Sequence, residues 1–421
     1  MRTARVATIL LFLTASSTAV AATKAIKFGK LVDGTGRVLT NAVVTVDDDR
    51  VRSVASGNVA IPSGAEVMDL SRYTGIPGLI DAHTHITYYW DGNTTPRYEP
   101  PRHPAITAFL AQENAQKALD AGVTTIRNLN SLDGIDLAMR DLINMGKMIG
   151  PRMFVSGLGI RITRSTAPPA PIGIMADGVD AVIHAVRQVI ASGADWVKMY
   201  GSTGGFDDVT QAQTFTYEEM KAAVDATHAL GKKIAIHSYG PGGARDAVRA
   251  GTDSLEHATD MDDQTIAEMV KRKTYYAPTI DHNQYYVENA DTVYHFPPGA
   301  KERLLDYIQR NFETAKKAFQ AGVHMIVGSD AVYNGWGLNM RELDWFVKMG
   351  MTPEQALKAA TTEPAAMLGL EKSLGAVAPG FYADIVAVEG DPLADITAVS
   401  RRENIHWVMK AGRVVVDKIT R

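Results

Sequence analysis

The sequence predicts an α/β protein: a (β/α)₈ TIM barrel with a small β-sandwich built from both termini. Three observations predict it. Eight short apolar runs recur between residues 77 and 375, as strands covered on both faces should. Amphipathic stretches separate them, and several of these end in glycine. Both ends of the chain alternate apolar and polar residues, as half-buried hairpins do.

The chain opens with Arg2 and Arg5, continues through a mostly apolar run and reaches Ala19-Val20-Ala21, the order of a signal peptide. Residues 1–21 are therefore expected to be removed and the protein exported, to the periplasm or the medium. The apolar run is too short for a span, which needs about 20 residues, so no membrane anchor is expected after cleavage. The absence of a lipidation cysteine excludes a lipoprotein. Loss of the two arginines takes the formal charge from −4 to −6.

Residues 25–56, including VVTVDDDRVRSVAS, carry hairpin patterning. ADIVAVEGDPL and HWVMKAGRVVVD repeat it near the other end. Small sheets of this kind are marginal alone, so residues 22–76 and 376–421 are expected to form one composite β-sandwich beside the barrel of residues 77–375.

Within the barrel the strand candidates are DAHTH, TTIRNLN, MFVSGLGI, DWVKMY, KIAIHS, DSLEH, TYYAPTI and HMIVGSD. Helical periodicity marks 105–120, 135–145, 179–191, 217–230, 244–250, 263–271 and 301–321. Gly122, Gly146, Gly251 and Gly322 follow four of these helices as stop signals.

Composition narrows the chemistry. With 46% hydrophobic and 21% charged residues, the chain can bury a large core. It carries no block of like charges, so nucleic acid is not an expected partner. Because it contains no cysteine, thiolate ligands, disulfides and cysteine nucleophiles are excluded. A Gly-x-Ser-x-Gly nucleophile elbow is also absent.

The unusual residues fall where strands end, which is where barrel enzymes place their chemistry. Strand one carries His83 and His85, strand four Lys198, strand five His237, strand six His257 and strand eight Asp330. Residues two apart share a strand face, so His83 and His85 can both face the axis. Imidazole and carboxylate suit divalent ions. A lone buried histidine is usually a hydrogen-bonded core residue; the joint placement is what argues for ligands. Lys198 would be costly as a buried ammonium, whereas a neutral lysine can add carbon dioxide to become a carbamate.

These residues carry a family resemblance. HTH after GLID, then VKMY, AIHSYG, LEHATD and VGSD in that order, resemble the binuclear amidohydrolase superfamily in its imidazolonepropionase-related branch. The later TPEQALKAATTEPAAMLGL and GAVAPGFYADIVAVEGDPL extend the resemblance over essentially the whole mature chain. It implies two divalent ions, zinc by default. One would be bound by His83, His85 and Asp330 and the other by His237 and His257, with N6-carboxylated Lys198 and a hydroxide between them. Asp330 would serve as general base and then acid. The resemblance also implies a homo-oligomer, an octamer among the forms such proteins take.

Lys198 separates this chain from the single-metal imidazolonepropionases and aligns it with two-metal relatives. Those include dipeptidases and carboxypeptidase-like prolidases, which release the C-terminal residue of dipeptides or N-acyl amino acids, and ochratoxin-hydrolysing amidohydrolases. A small-molecule or short-peptide amide is accordingly the expected substrate. The alternative is a lactone, cyclic amide or phosphoester at the same metals, and a scaffold without catalysis is the remaining reading. Where many relatives have Gly-Gly-His after strand three, this chain has Thr163-Arg164-Ser165. Arg164 is a candidate for gripping a substrate carboxylate, or a solvated loop arginine. Tyr239, two residues beyond His237, is the leading substrate contact. Tyr88 and His282 are further candidates at the same mouth, His282 being more simply read as a loop histidine. His103, His184, His228, His295, His324 and His406 receive no chemical role.

Overall fold

A computed structural model describes residues 23–89, 102–163, 173–204 and 212–419. The signal-peptide reading of residues 1–21 and the candidate Arg164 lie outside the described residues.

The chain enters through four strands, β1 (Lys24–Val32), β2 (Val38–Asp47), β3 (Arg50–Ser56) and β4 (Glu66–Pro77). The barrel strands follow: β5 (Leu79–Thr84), β6 (Val123–Asn128), β7 (Arg152–Val155) with its continuation β8 (Gly159–Arg161), a short β9 (Gly173–Met175), β10 (Trp196–Tyr200), β11 (Lys233–Ser238), β12 (Ser254–His257), β13 (Tyr275–Ala277) and β14 (His324–Met325). The last strands are β15 (Ile385–Val388), β16 (Ile405–Lys410) and β17 (Arg413–Asp417).

The two ends of the chain share one seven-stranded sheet in the order β17-β16-β15-β4-β1-β2-β3. Its N- and C-terminal strands bury a common core that includes Phe28, Leu31, Val44, Ile385 and Trp407. Hairpin patterning anticipated the antiparallel pairs. It did not anticipate β1 lying parallel to β4, a non-local pairing that no turn signal announces.

The barrel is a parallel run from β14 through β13, β12, β11 and β10 to β8 and β9, with β5-β6-β7 completing the ring. A parallel bridge between Thr84 and Ala331 joins the first strand to the segment after β14, and Ala82 N–H donates to the Val327 carbonyl at 2.9 Å. Trp196 and Ala235, each two residues before a site residue on its own strand, join Ala82 and Ala277 in a buried cluster. The barrel is therefore filled beneath the site rather than open through its axis.

The helices include α1 (Pro104–Asp120), α2 (Ile135–Asn144), α3 (Val179–Ala191), α4 (Tyr217–Ala229), α5 (Pro241–Ala250), α6 (Asp263–Arg272), α7 (Ile280–Asn289), α8 (Ala300–Gln320) and α9 (Glu342–Lys348). Seven of the first eight match the periodic stretches within a few residues. The exception is α7, placed among residues read as loop. Its first residue follows Thr279 at φ 53°, with no side-chain cap. Glu342 instead accepts the N–H groups of Ile280 and Asp281 at 2.9 and 2.8 Å. A carboxylate some sixty positions away thus satisfies helix-start donors that are normally capped locally.

Candidate active site

Six side chains meet where the strands end. β5 is buried along its whole length, and its pleat sends His83 and His85 to the same side. Their ring centroids are 5.4 Å apart. The His83 ring lies 5.1 Å from that of His257 on β12, which lies 4.5 Å from His237 on β11. His85 Nε2 approaches Asp330 Oδ1 to 3.0 Å, and His83 Nε2 approaches the same oxygen to 3.5 Å. Lys198 on β10 is wholly buried.

Three of the four histidines are oriented from behind. His83 Nδ1 lies 2.8 Å from Glu256 Oε2, His85 Nδ1 is 3.3 Å from the Asn130 carbonyl, and His257 Nδ1 is 2.6 Å from Thr279 Oγ1. A ring that donates through Nδ1 presents a lone pair at Nε2. Burial, the largest influence, lowers His83 to about 4 and holds His237 and His257 well below the usual histidine range. At neutral pH these rings are uncharged.

The lone pairs face a carboxylate. His83 Nε2, His237 Nε2, Lys198 Nζ and Asp330 Oδ1 are all buried without a hydrogen-bond partner. Buried polar atoms are ordinarily satisfied, and imidazole lone pairs converging on a carboxylate oxygen repel unless a cation lies between them. His83, His85 and Asp330 bring one ligand atom each within 4.8 Å of one another, a spacing that can hold a metal ion. The residues present therefore fit a divalent-metal site. Burial lowers Lys198 to about 8, against the opposing attraction of Glu256 and Asp330, so an appreciable neutral fraction exists near pH 7.

Backbone geometry at this rim is unusual. His257, Ala258 and Asp330 have φ of 72°, 58° and 49°, a region costly for residues with side chains and concentrated at functional sites. Local bonds hold them there. The Tyr276 hydroxyl donates to the His257 carbonyl at 2.6 Å, and Asp330 N–H donates to the His83 carbonyl at 2.8 Å. Asp81 accepts from Ser329 N–H at 2.9 Å and from Asn339 Nδ2 at 2.8 Å, tying β5 to the Asp330 segment. Gly328 allows that approach, because a Cβ there would lie 2.7 Å from His83 Cβ.

Of the remaining candidates, Tyr239 is buried with its ring 4.8 Å from His237 and 5.0 Å from His257. Tyr88 stacks on His85 at 4.7 Å and accepts a hydrogen bond from Asn130 Nδ2 at 2.8 Å. His282 corrects the loop reading: it lies in the first turn of α7, buried, with Nε2 3.2 Å from Asp330 Oδ2. Three of the histidines given no role pair with carboxylates elsewhere, His228 with Asp253, His324 with Glu363 and His406 with Glu389.

The sequence reading missed the layer behind the ligands. Glu256 Oε1 accepts from Arg127 Nη2 at 2.8 Å and from Ser254 Oγ at 2.5 Å, and Arg127 Nε donates to the Ala82 carbonyl at 2.6 Å. Burial pushes the Glu256 carboxyl up, but Arg127 and His83 outweigh it and hold the group well below the carboxylate range. Charged residues inside the apolar runs TTIRN and DSLEH were the available signal. Arg161, at the end of β8, was also passed over.

Residues 74–415 match the amidohydrolase family. This chain belongs to that family. It is an enzyme that hydrolyses amide bonds. It is 29% identical to an ochratoxinase of Aspergillus niger, over 92% of this chain and 85% of that protein. It is 20% identical to an imidazolonepropionase of Fusobacterium nucleatum, over 92% and 95% of the two chains. Among solved structures, it superposes on a Xaa-Pro dipeptidase with methionine bound in the active site with a TM-score of 0.86 and 30% identity, over 94% of this chain and 100% of the other. For this amidohydrolase, the eight-stranded barrel and the cluster at its strand ends are thus those of a hydrolytic enzyme.

Proposed function

We propose that this amidohydrolase is an exported two-metal enzyme that cleaves the amide bond of a dipeptide or N-acyl amino acid, releasing an amino acid with a free α-carboxylate. The observation that carries the metal reading is the approach of the His83 and His85 Nε2 atoms to Asp330 Oδ1, in a cluster where Lys198 Nζ and His237 Nε2 are also buried without partners. His83, His85 and Asp330 would hold one divalent ion, and His237 and His257 the other, with carboxylated Lys198 between them. Zinc is the default for imidazole and carboxylate donors. When bound, the ions supply hydroxide at neutral pH and polarise the scissile carbonyl.

The protein's own groups do the rest. Asp330 takes the proton of the attacking water and returns it to the leaving amine, with His282 beside its Oδ2 at 3.2 Å. Tyr239 stands over His237 and His257, where a substrate must lie. The similarity to a dipeptidase that binds methionine and to an ochratoxinase supports an amide whose leaving group is an amino acid. The enzyme acts as a homo-oligomer in the periplasm or medium, as the leader-like start of the chain and the family resemblance suggest.

Metal-loaded protein assayed on dipeptides, N-acyl amino acids, lactones and phosphoesters tests this reading. Amides of amino acids should be cleaved fastest. Faster turnover of lactones or phosphoesters overturns the substrate class, and full activity after rigorous metal removal overturns the metal chemistry.

A further inference from the structure

We propose that Arg161 grips the substrate's α-carboxylate. The inference rests on the proposed substrate class and names the group that would select it. β8 pairs with β10 through Ile160 and Met199, which sets Arg161 beside Tyr200 and one strand from Lys198. The guanidinium carbon lies 3.4 Å from the centre of the Tyr200 ring. That ring in turn lies 5.3 Å from the His237 ring and 5.2 Å from Lys198 Nζ. Arg161 is near enough for its charge to act on Lys198, His237, Tyr88 and Tyr200.

Its surroundings fix it without neutralising it. Gly173 leaves room for the stem, since a Cβ there would lie 3.0 Å from Arg161 Cδ. Gly159 leaves room for Tyr200, whose ring a Cβ would meet at 2.7 Å. Arg161 Nε is buried without a hydrogen-bond partner, and among the described residues no carboxylate pairs with the guanidinium. Among the described residues, Arg127 pairs with Glu256, and Lys198 is proposed to carry its own anion as a carbamate. A partly buried guanidinium without a counter-ion is costly, and an anionic ligand removes that cost.

The neighbouring groups match a carboxylate. The Tyr88 hydroxyl is a hydrogen-bond neighbour of Tyr200, and a phenol hydroxyl can donate to a carboxylate. A planar fork stacked on an aromatic face beside two hydroxyls binds a planar anion bidentately and in one orientation. The site lies beside His237, on the opposite side of the cluster from His282. A substrate whose scissile carbonyl occupies the centre would then direct its leaving amino acid toward β8.

The test compares N-acetyl derivatives of the twenty amino acids as free acids and as C-terminal amides, using wild-type enzyme, Arg161→Gln and Arg161→Lys, each checked for metal content and circular dichroism. Calorimetric titration with the best-accepted amino acid and its amide supplies a readout independent of turnover. Loss of a charge-assisted, bidentate contact should lower the ratio of kcat/KM for free acid over amide about ten- to hundredfold in Arg161→Gln, chiefly through KM, with a parallel loss of amino-acid affinity. Arg161→Lys should recover part of the ratio. If wild-type enzyme prefers free acids and Arg161→Gln keeps that preference, this assignment is overturned and the substrate reading stands. If wild-type enzyme shows no preference for free acids, both are overturned.

Discussion

Glu256 Oε2 lies 2.8 Å from His83 Nδ1, while Glu256 Oε1 holds Arg127 at the same distance. One buried carboxylate therefore fixes the tautomer of a site histidine and neutralises a buried guanidinium. Carboxylates behind metal-binding histidines raise ligand basicity, and their loss typically weakens metal affinity by about 10- to 100-fold. Glu256→Gln should show a drop of that size in competition against a chromogenic chelator. Unchanged affinity would show that the pair serves folding alone.

Arg127 separates folding from ligation. Replacing it with methionine leaves Glu256 as an uncompensated buried anion, and breaking such a pair costs about 3 to 5 kcal/mol. Denaturant unfolding of metal-saturated Arg127→Met should show this loss. A change below about 1 kcal/mol, the scale of an exposed pair, would mean that Glu256 is neutralised otherwise.

His282 touches Asp330 Oδ2 at 3.2 Å and is proposed to position the proton-transferring carboxylate. His282→Ala should lower kcat by about ten- to hundredfold, within the range that acid–base groups contribute. KM and metal content should change little, and the pH–rate profile should shift. An unaltered kcat and profile would remove it from the mechanism.

The contrast between His83 and His282 explains how much of the site was legible. His83 and His85 stand two apart in an apolar run, Lys198 interrupts WVKMY, and Asp330 closes IVGSD; local spacing alone puts such residues at strand ends. His282 lies in a helix whose start is held by Glu342, so its position depends on a contact across sixty residues. Arg161 was illegible for a related reason. Arg164 and Arg161 sit three apart in one segment, and only the pairing of β8 with β10 places Arg161 against Tyr200. The barrel was readable because its repeats are local, whereas the parallel pairing of β1 with β4 joins strands separated by two others.

Lys198 distinguishes a carbamate from an ordinary buried lysine. Lys198→Ala should lose nearly all activity, and acetate or propionate should partly restore it by filling the same gap with a carboxylate. Lys198→Arg should also fail, because arginine remains protonated and cannot form the carbamate. Near-normal turnover of Lys198→Ala in metal-replete buffer would refute the bridging role.

Glu342 links the stability of the site to pH. It is wholly buried at the start of α9, and burial, reinforced by Asp281 and Asp81, raises its carboxyl from 4.5 to about 8. A carboxyl whose folded value lies above its unfolded value binds its proton more tightly when folded. Its contribution is therefore fully present below about pH 4.5 and is lost as pH rises through about 8. Glu342→Gln removes the titration, but an amide has one acceptor oxygen where two backbone N–H groups need acceptors. Leaving one of them unsatisfied costs about 1 to 3 kcal/mol. Metal-saturated Glu342→Gln should accordingly be less stable than wild type at pH 5, and the difference should shift in the variant's favour as pH rises through about 8, because only the wild type loses the proton-linked contribution. Denaturant unfolding at pH 5, 7 and 9 measures this. Parallel stability profiles for the two proteins would mean that Glu342 is already ionised in the folded state, holding α7 and His282 as a charged cap.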